Sequence, residues 1–217
     1  MPSVKISASI LNCDLANLGS EVKKAAQAGA DYIHVDIMDG EFVPNISFGS
    51  SVQNAVIPHI TRPMVVDTHL MIMHPQRFIS DFAAAHSDII TFHIESDCNP
   101  DDVISEIHAK GIKAGIAVKP KTPAEYVLPY IEKVEMILVM TVEPGYGGQK
   151  FMPDMLDKIR TIRAAADRLG KDIDIQVDGG INAETASLVK EAGANILVAG
   201  SYLYRAEDME GAVNSLR

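Results

Sequence analysis

Short apolar runs alternate with amphipathic segments along the whole chain. Val4–Ser9, Tyr32–Asp36, Met64–His69, Ile89–Ile94, Lys113–Val118, Met136–Val142, Ile173–Asp178 and Ile196–Ala199 read as eight strands. Between them, Glu21–Ala28, Pro75–Ala85, Asp102–Lys110, Pro153–Leu169 and Ala183–Ala192 carry helical spacing. Pro75 suits a first helical turn. Asn99 or Asp101 can cap the third of these helices, and Asn182 precedes the last. One local phrase recurs before strands: Ala28-Gly29-Ala30-Asp31, Ala85-His86-Ser87-Asp88, Lys110-Gly111-Ile112-Lys113 and Ala192-Gly193-Ala194-Asn195. A glycine past a helix end supplies the left-handed residue that turns the chain into the next strand. The period of roughly 25–30 residues is that of βα units.

Eight strand–helix units in 217 residues predict a small closed (β/α)8 TIM barrel of the α/β class, with residues 1–217 forming one domain. An open doubly wound sheet is the alternative. It normally carries a Gly-x-Gly-x-x-Gly turn after its first strand, and Ser9-Ile10-Leu11-Asn12-Cys13-Asp14 has none. No linker or low-complexity stretch interrupts the pattern.

Composition narrows the setting. The formal net charge of −10 argues against a nucleic-acid surface. Small anions remain possible ligands, because backbone N–H groups and helix dipoles can hold them. Cys13 and Cys98 have no Cys-x-x-Cys spacing and read as reduced thiols. No N-terminal signal pattern and no membrane-length apolar run is evident, so the expectation is a cytoplasmic protein without a membrane partner.

The chemistry sits near the strand ends. His34 and Asp36 share one face of their strand, because alternate side chains point the same way. His69 and Asp178 end two further strands. In a barrel, the C-terminal ends of the strands form the active rim. Two imidazoles and two carboxylates there would bind one divalent metal ion. The mixed nitrogen and oxygen set suits Zn²⁺, Fe²⁺, Co²⁺ or Mn²⁺. The carboxylates also suit proton transfer at a carbon next to a carbonyl. His93 and Glu95 repeat the spacing on the fourth strand and are expected to support the ligands from behind. Met38, Met71 and Met140 lie at or near the rim, and core packing is the ordinary role of such methionines. Glycine-rich segments follow the last three strands: Gly145-Tyr146-Gly147-Gly148-Gln149, Gly179-Gly180 and Gly200-Ser201. Loops in these places commonly bind phosphate, and the first could also close over the site.

Several ordered motifs together resemble the ribulose-phosphate 3-epimerase family. They are Ser9-Ile10-Leu11 with Asp14–Leu18, His34–Gly40 with Phe42-Val43-Pro44-Asn45, Asp67–Met71, Met140–Gln149 and Val177–Gly180. The resemblance spans Ile6 to about Leu203. Ala8 departs from the proline common in the family. The resemblance implies interconversion of D-ribulose 5-phosphate and D-xylulose 5-phosphate in the pentose phosphate pathway. It implies metal ligation by His34, Asp36, His69 and Asp178, zinc foremost, with Asp36 and Asp178 as the acid–base pair. Ser9 and His69 would contact the substrate, and Met38, Met71 and Met140 would pack against its reacting carbons. Gly145–Gly148, Gly179, Gly180, Gly200 and Ser201 would hold the phosphate. A homo-oligomer is implied as well. Rival readings are an epimerase of a six-carbon ketose phosphate, a decarboxylase or aldolase relying on Lys119, and a non-catalytic sugar-phosphate sensor.

Overall fold

The computed structural model describes residues 3–217. Eight parallel strands close on themselves in sequence order. They are β1 (Lys5–Ser9), β2 (Tyr32–Met38), β3 (Val65–Met71), β4 (Ile89–His93), β5 (Lys113–Val118), β6 (Met136–Met140), β7 (Asp174–Asp178) and β8 (Ile196–Ala199). The α-helices are α1 (Leu18–Gln27), α2 (Ser50–Val56), α3 (Ile79–Ala84), α4 (Pro100–Ala109), α5 (Met155–Leu169), α6 (Ala183–Ala192), α7 (Ser201–Tyr204) and α8 (Met209–Leu216). The expected (β/α)8 barrel is the observed fold.

The strand sequences sort by parity. Ile33, Val35, Ile37, Ile90, Phe92, Ile116, Ile137, Val139, Ile175 and Val177 belong to the large apolar core packed beneath the helices. The alternate residues face the lumen. On β1 to β4 these include the polar residues Ser7, Ser9, His34, Asp36, Asp67, His69, Thr91 and His93, all buried. On β5 and β6 they are small or apolar: Gly115, Ala117, Leu138 and Met140. Gln176 and Asp178 on β7 add to the polar groups, and Tyr32, Ile89, Met136 and Ile196 form an apolar layer at the strand starts.

The recurring phrase before strands has a second use at the opposite end of the barrel. Asp31 accepts the Ile6 N–H, Asp88 the Val66 N–H and Glu135 the Ala114 N–H, at 2.8–2.9 Å. Asn195 accepts the Ile175 N–H at 2.7 Å. Each acceptor precedes an even-numbered strand and fastens the start of the odd-numbered strand before it.

Several elements depart from the sequence expectations. β2 and β3 run two residues further than expected, to Met38 and Met71. Phe78, at φ −124°, separates a 3₁₀ turn at Pro75–Arg77 from α3, so one expected helix is two pieces. Between β5 and β6, where the sequence shows no helical candidate, the chain forms only the 3₁₀ turns Ala124–Tyr126 and Leu128–Tyr130. Pro120, Pro123 and Pro129 remove the N–H groups a helix would need there.

At the helix-ending position of the phrase, Gly29, Gly111 and Gly193 take φ of +91°, +74° and +112°. The fourth copy has His86, at φ +62°. A Cβ makes this conformation costly. His86→Gly is therefore expected to raise the unfolding free energy by about 1 kcal/mol. Urea denaturation should show a higher midpoint at an unchanged slope.

Candidate metal and acid–base site

Strand register builds the site. Ser9 pairs with His34, His34 with Asp67, and Asp36 with His69. On the far wall Met140 pairs with Asp178. Four side chains turn inward and bring one ligand atom each within 4.8 Å of all the others: His34, Asp36, His69 and Asp178. His34 Nε2 and His69 Nδ1 lie 3.3 Å apart. Asp36 Oδ1 is 3.3 Å from the former and 3.2 Å from the latter. Asp178 Oδ2 is 3.9 and 3.8 Å from the same two nitrogens. Ligands about 2.0–2.1 Å from a tetrahedral ion sit roughly 3.3 Å from one another, so this spacing fits such an ion. His34 and His69 are fully buried, while the Asp178 side chain keeps 18% exposure toward the mouth.

Hydrogen bonds behind the cluster orient it. His34 Nδ1 lies 2.7 Å from Asp67 Oδ2, which also accepts from Ser7 Oγ and the Gln176 amide. Ser9 Oγ donates to Asp36 Oδ2 at 2.7 Å. His69 Nε2 is 2.9 Å from His93 Nε2, and His93 Nδ1 is 3.2 Å from Glu95. His93 and Glu95 thus stand behind the cluster, as their spacing suggested. Asp67 and Gln176 are the residues the sequence reading left unassigned. Their signal was parity, since each lies two residues before His69 or Asp178.

The environments drive the two carboxyls apart. Burial works against the Asp36 anion, but the His34 and His69 imidazoles outweigh it and hold the group below the usual carboxylate range. Burial, then the negative charge of Asp36, pushes Asp178 up to about 6. Burial alone would lower His34, yet Asp67 and Asp36 beside it raise it well above the ordinary imidazole value. Burial also pushes His93 down to about 4.

Above the cluster opens a cavity of about 940 Å³. Ser9, Asp36, Met38, Met71, Met140 and Asp178 line its floor, and Met38 and Met71 also pack with Phe42 and Val43. Gly145, Tyr146, Gly147, Gly148, Gly179, Gly180, Gly200 and Ser201 line the same cavity. The glycines matter locally. A Cβ on Gly147 would lie 1.6 Å from Asn12 Nδ2, and one on Gly180 would lie 2.4 Å from the Phe151 backbone nitrogen. The loop after β6 is tied across the mouth, because Asn45 Nδ2 donates to Gly145 O and Tyr146 OH to Pro44 O. Lys119 lies just past β5 and points elsewhere, its Nζ 3.5 Å above the centre of the Phe42 ring.

The profile of the Ribulose-phosphate 3 epimerase family matches residues 5–204. The chain belongs to the ribulose-phosphate 3-epimerase family. It is an isomerase of the epimerase type. It is 45% identical over 215 residues to the ribulose-phosphate 3-epimerase of Bacillus subtilis, covering 99% of this chain and 98% of that protein. It is 42% identical over 219 residues to the cytoplasmic isoform of ribulose-phosphate 3-epimerase from Oryza sativa, covering 99% and 93%. Among solved structures, KGPDC from Streptococcus mutans aligns with a TM-score of 0.72 at 10% identity, over 99% of this chain and 96% of that one. That likeness is one of fold alone. Among the described residues, no helix of this epimerase is long and apolar enough to cross a membrane.

The raised Asp178 carboxyl makes metal-free stability depend on pH. Folded protein holds a proton there that the unfolded chain releases near pH 4. Stability from this group is full below pH 4 and is lost as pH rises through about 6. Asp178→Asn has no such loss. In chelator at pH 8 the variant should be more stable by up to about 3 kcal/mol, with no advantage at pH 4. Urea titrations at the two pH values measure the difference.

Proposed function

We propose that this epimerase interconverts D-ribulose 5-phosphate and D-xylulose 5-phosphate in the pentose phosphate pathway, using one divalent ion per chain. The observation that carries the reading is the convergence of four ligand atoms, three of them on buried side chains, with carboxylates from β2 and β7 among them, beneath a cavity walled by glycine loops. His34 Nε2, His69 Nδ1, Asp36 Oδ1 and Asp178 Oδ2 would hold the ion, with zinc as the first expectation and iron, cobalt or manganese as alternatives. When bound, a divalent ion supplies positive charge beside the substrate carbonyl oxygen.

The chain's own residues do the rest. Inverting C3 requires removing a proton from one face and returning one to the other. A single base cannot serve both faces. Asp36 and Asp178 reach the cavity from separate strands, so one takes the C3 proton while the other delivers a proton from the opposite side. The roles exchange in the reverse direction. The Ser9 hydroxyl, 2.7 Å from Asp36 Oδ2, fixes that carboxylate's rotamer and can meet the sugar. Met38, Met71 and Met140 cover the reacting carbons with side chains that have no exchangeable proton. The backbone N–H groups of Gly145–Gly148, Gly179, Gly180, Gly200 and Ser201 would receive the phosphate, where charged side chains are not required. Relatives of the same name support the five-carbon substrate over a six-carbon ketose phosphate.

A cytoplasmic location and a homo-oligomer belong to the same proposal. The rice relative's name supports the first. Exposed Leu15 and Ile46 on loops at the mouth supply apolar surface for the second, which sedimentation would measure.

Asp36→Asn and Asp178→Asn should each cut turnover by roughly 10²–10⁴-fold while circular dichroism stays native. Wild-type protein in deuterated water should place deuterium at C3 of recovered substrate. Chelation should abolish this exchange, and added zinc, cobalt or manganese should restore it. Retained epimerisation in either variant would remove that aspartate from the mechanism.

A further inference from the structure

We propose that Glu95 decides which nitrogen of His69 faces the metal, acting through His93 as a positioning residue. The inference rests on the metal reading above.

The two ligand imidazoles present opposite ring atoms to the same point, His34 its Nε2 and His69 its Nδ1. A neutral imidazole ligates with the nitrogen that lacks hydrogen, and the partner of the other nitrogen sets which one that is. For His34 the partner is direct. Asp67 Oδ2, 2.7 Å from Nδ1, takes the hydrogen there and leaves Nε2 bare. His69 has no carboxylate behind it. Its Nε2 meets only another imidazole nitrogen, His93 Nε2, at 2.9 Å. One hydrogen must lie between those two atoms, and either ring could supply it.

Glu95 settles the choice two bonds away. Its Oε1 accepts the Lys119 N–H at 2.8 Å, and its Oε2 lies 3.2 Å from His93 Nδ1. A carboxylate brings no hydrogen to the second contact, so His93 Nδ1 carries it. His93 Nε2 is then an acceptor, and His69 Nε2 must donate to it. The lone pair of His69 is left on Nδ1 inside the cluster, 3.2 Å from Asp36 Oδ1, and the charge of a bound ion would satisfy both atoms. The opposite arrangement would set two acceptors against each other between His93 and Glu95.

The relay is held at both ends. The His93 ring lies between the His69 and Phe42 rings, with centroids 5.1 and 4.8 Å away. The turn that presents the Lys119 N–H is gripped by Lys158. Its Nζ donates to the carbonyls of Lys119, Pro120 and Thr122 at 2.7, 2.9 and 2.6 Å. A contact beginning on α5, outside the barrel, thus reaches a ligand atom in the lumen.

Glu95→Gln tests this at constant shape. The Lys119 N–H can only donate, so it captures the new amide's oxygen. The amide NH₂ then faces His93 Nδ1 and reverses the relay, putting hydrogen on His69 Nδ1, where the ion belongs. Zinc affinity, from competition with a chromophoric chelator, should fall about 10–100-fold with native circular dichroism. In a His93→Asn background, Glu95→Gln should cost no further zinc affinity. Affinity within twofold of wild type, or an undiminished cost in the His93→Asn background, would each overturn the proposal. None of these readouts involves a sugar. A Glu95→Gln result against expectation in protein that binds zinc normally therefore sinks only the relay, whereas wild-type protein that binds no zinc sinks the metal reading with it.

Discussion

The mouth of this barrel depends on one dry contact, the His34 imidazole held between Asp67 and Asp36. Both carboxylates are buried, and isolating either would cost several kcal/mol. Asp67 has Ser7, Gln176 and His34 on one oxygen, but its other oxygen makes no hydrogen bond among the described residues. Neither do Thr91 Oγ1 and Gln176 Oε1. A lumen filled with Leu and Val would avoid these penalties. A polar layer kept at such expense is what a site selected for chemistry rather than stability looks like. The same layer fixes register. A one-residue slip of β2 would send His34 and Asp36 among the helices and turn Ile33, Val35 and Ile37 into the lumen.

The two ends of the barrel divide the work. At the N-terminal end, Asp31, Asp88, Glu135 and Asn195 tie strand starts together with short side chain to backbone bonds. These contacts use residues adjacent to the strands and need no long loop. At the C-terminal end the connections lengthen, and their polar groups bind one another across the cavity. Asp39 illustrates this, since it accepts the N–H groups of Glu41, Phe42 and Met73 and so ties the loop after β2 to the end of β3. The stabilising face can therefore be rigid while the catalytic face keeps a roomy opening.

Strand existence and strand parity were legible because they rest on composition and period 2, which act locally. His34 and Asp36 could be placed on one face for that reason. Grouping His69 and Asp178 with them needed the further premise of a closed barrel, because pairing Asp36 with His69, and bringing Asp178 to both, is a property of register and closure. Helices lost in the reading share a cause. α2 (Ser-Ser-Val-Gln-Asn-Ala-Val) and α8 (Met-Glu-Gly-Ala-Val-Asn-Ser-Leu) are short, and α8 contains glycine, so tertiary packing rather than propensity makes them helical. The rim methionines show another limit. Core packing and lining the cavity looked like rival roles, yet Met38 and Met71 do both, 3% and 1% exposed over the cluster.

Fold alone would not have chosen the chemistry, since a barrel only 10% identical superposes over nearly its whole length. The choice lies in a few lumen positions. A Schiff-base mechanism needs an amine that reaches the floor of the cavity. Lys119, the one lysine near a strand's C-terminal end in the sequence, is spent on the Phe42 face and contributes nothing to the cavity lining. Burial lowers its affinity for a proton, but the adjacent Glu95 and Glu143 favour the charged form that a cation over an aromatic ring requires. The inward atoms that remain are imidazole nitrogens and carboxylate oxygens. They can gather a positive ion and pass protons, and Lys150, the lysine among the residues lining the cavity, is exposed on the loop after β6 rather than on a strand of the floor.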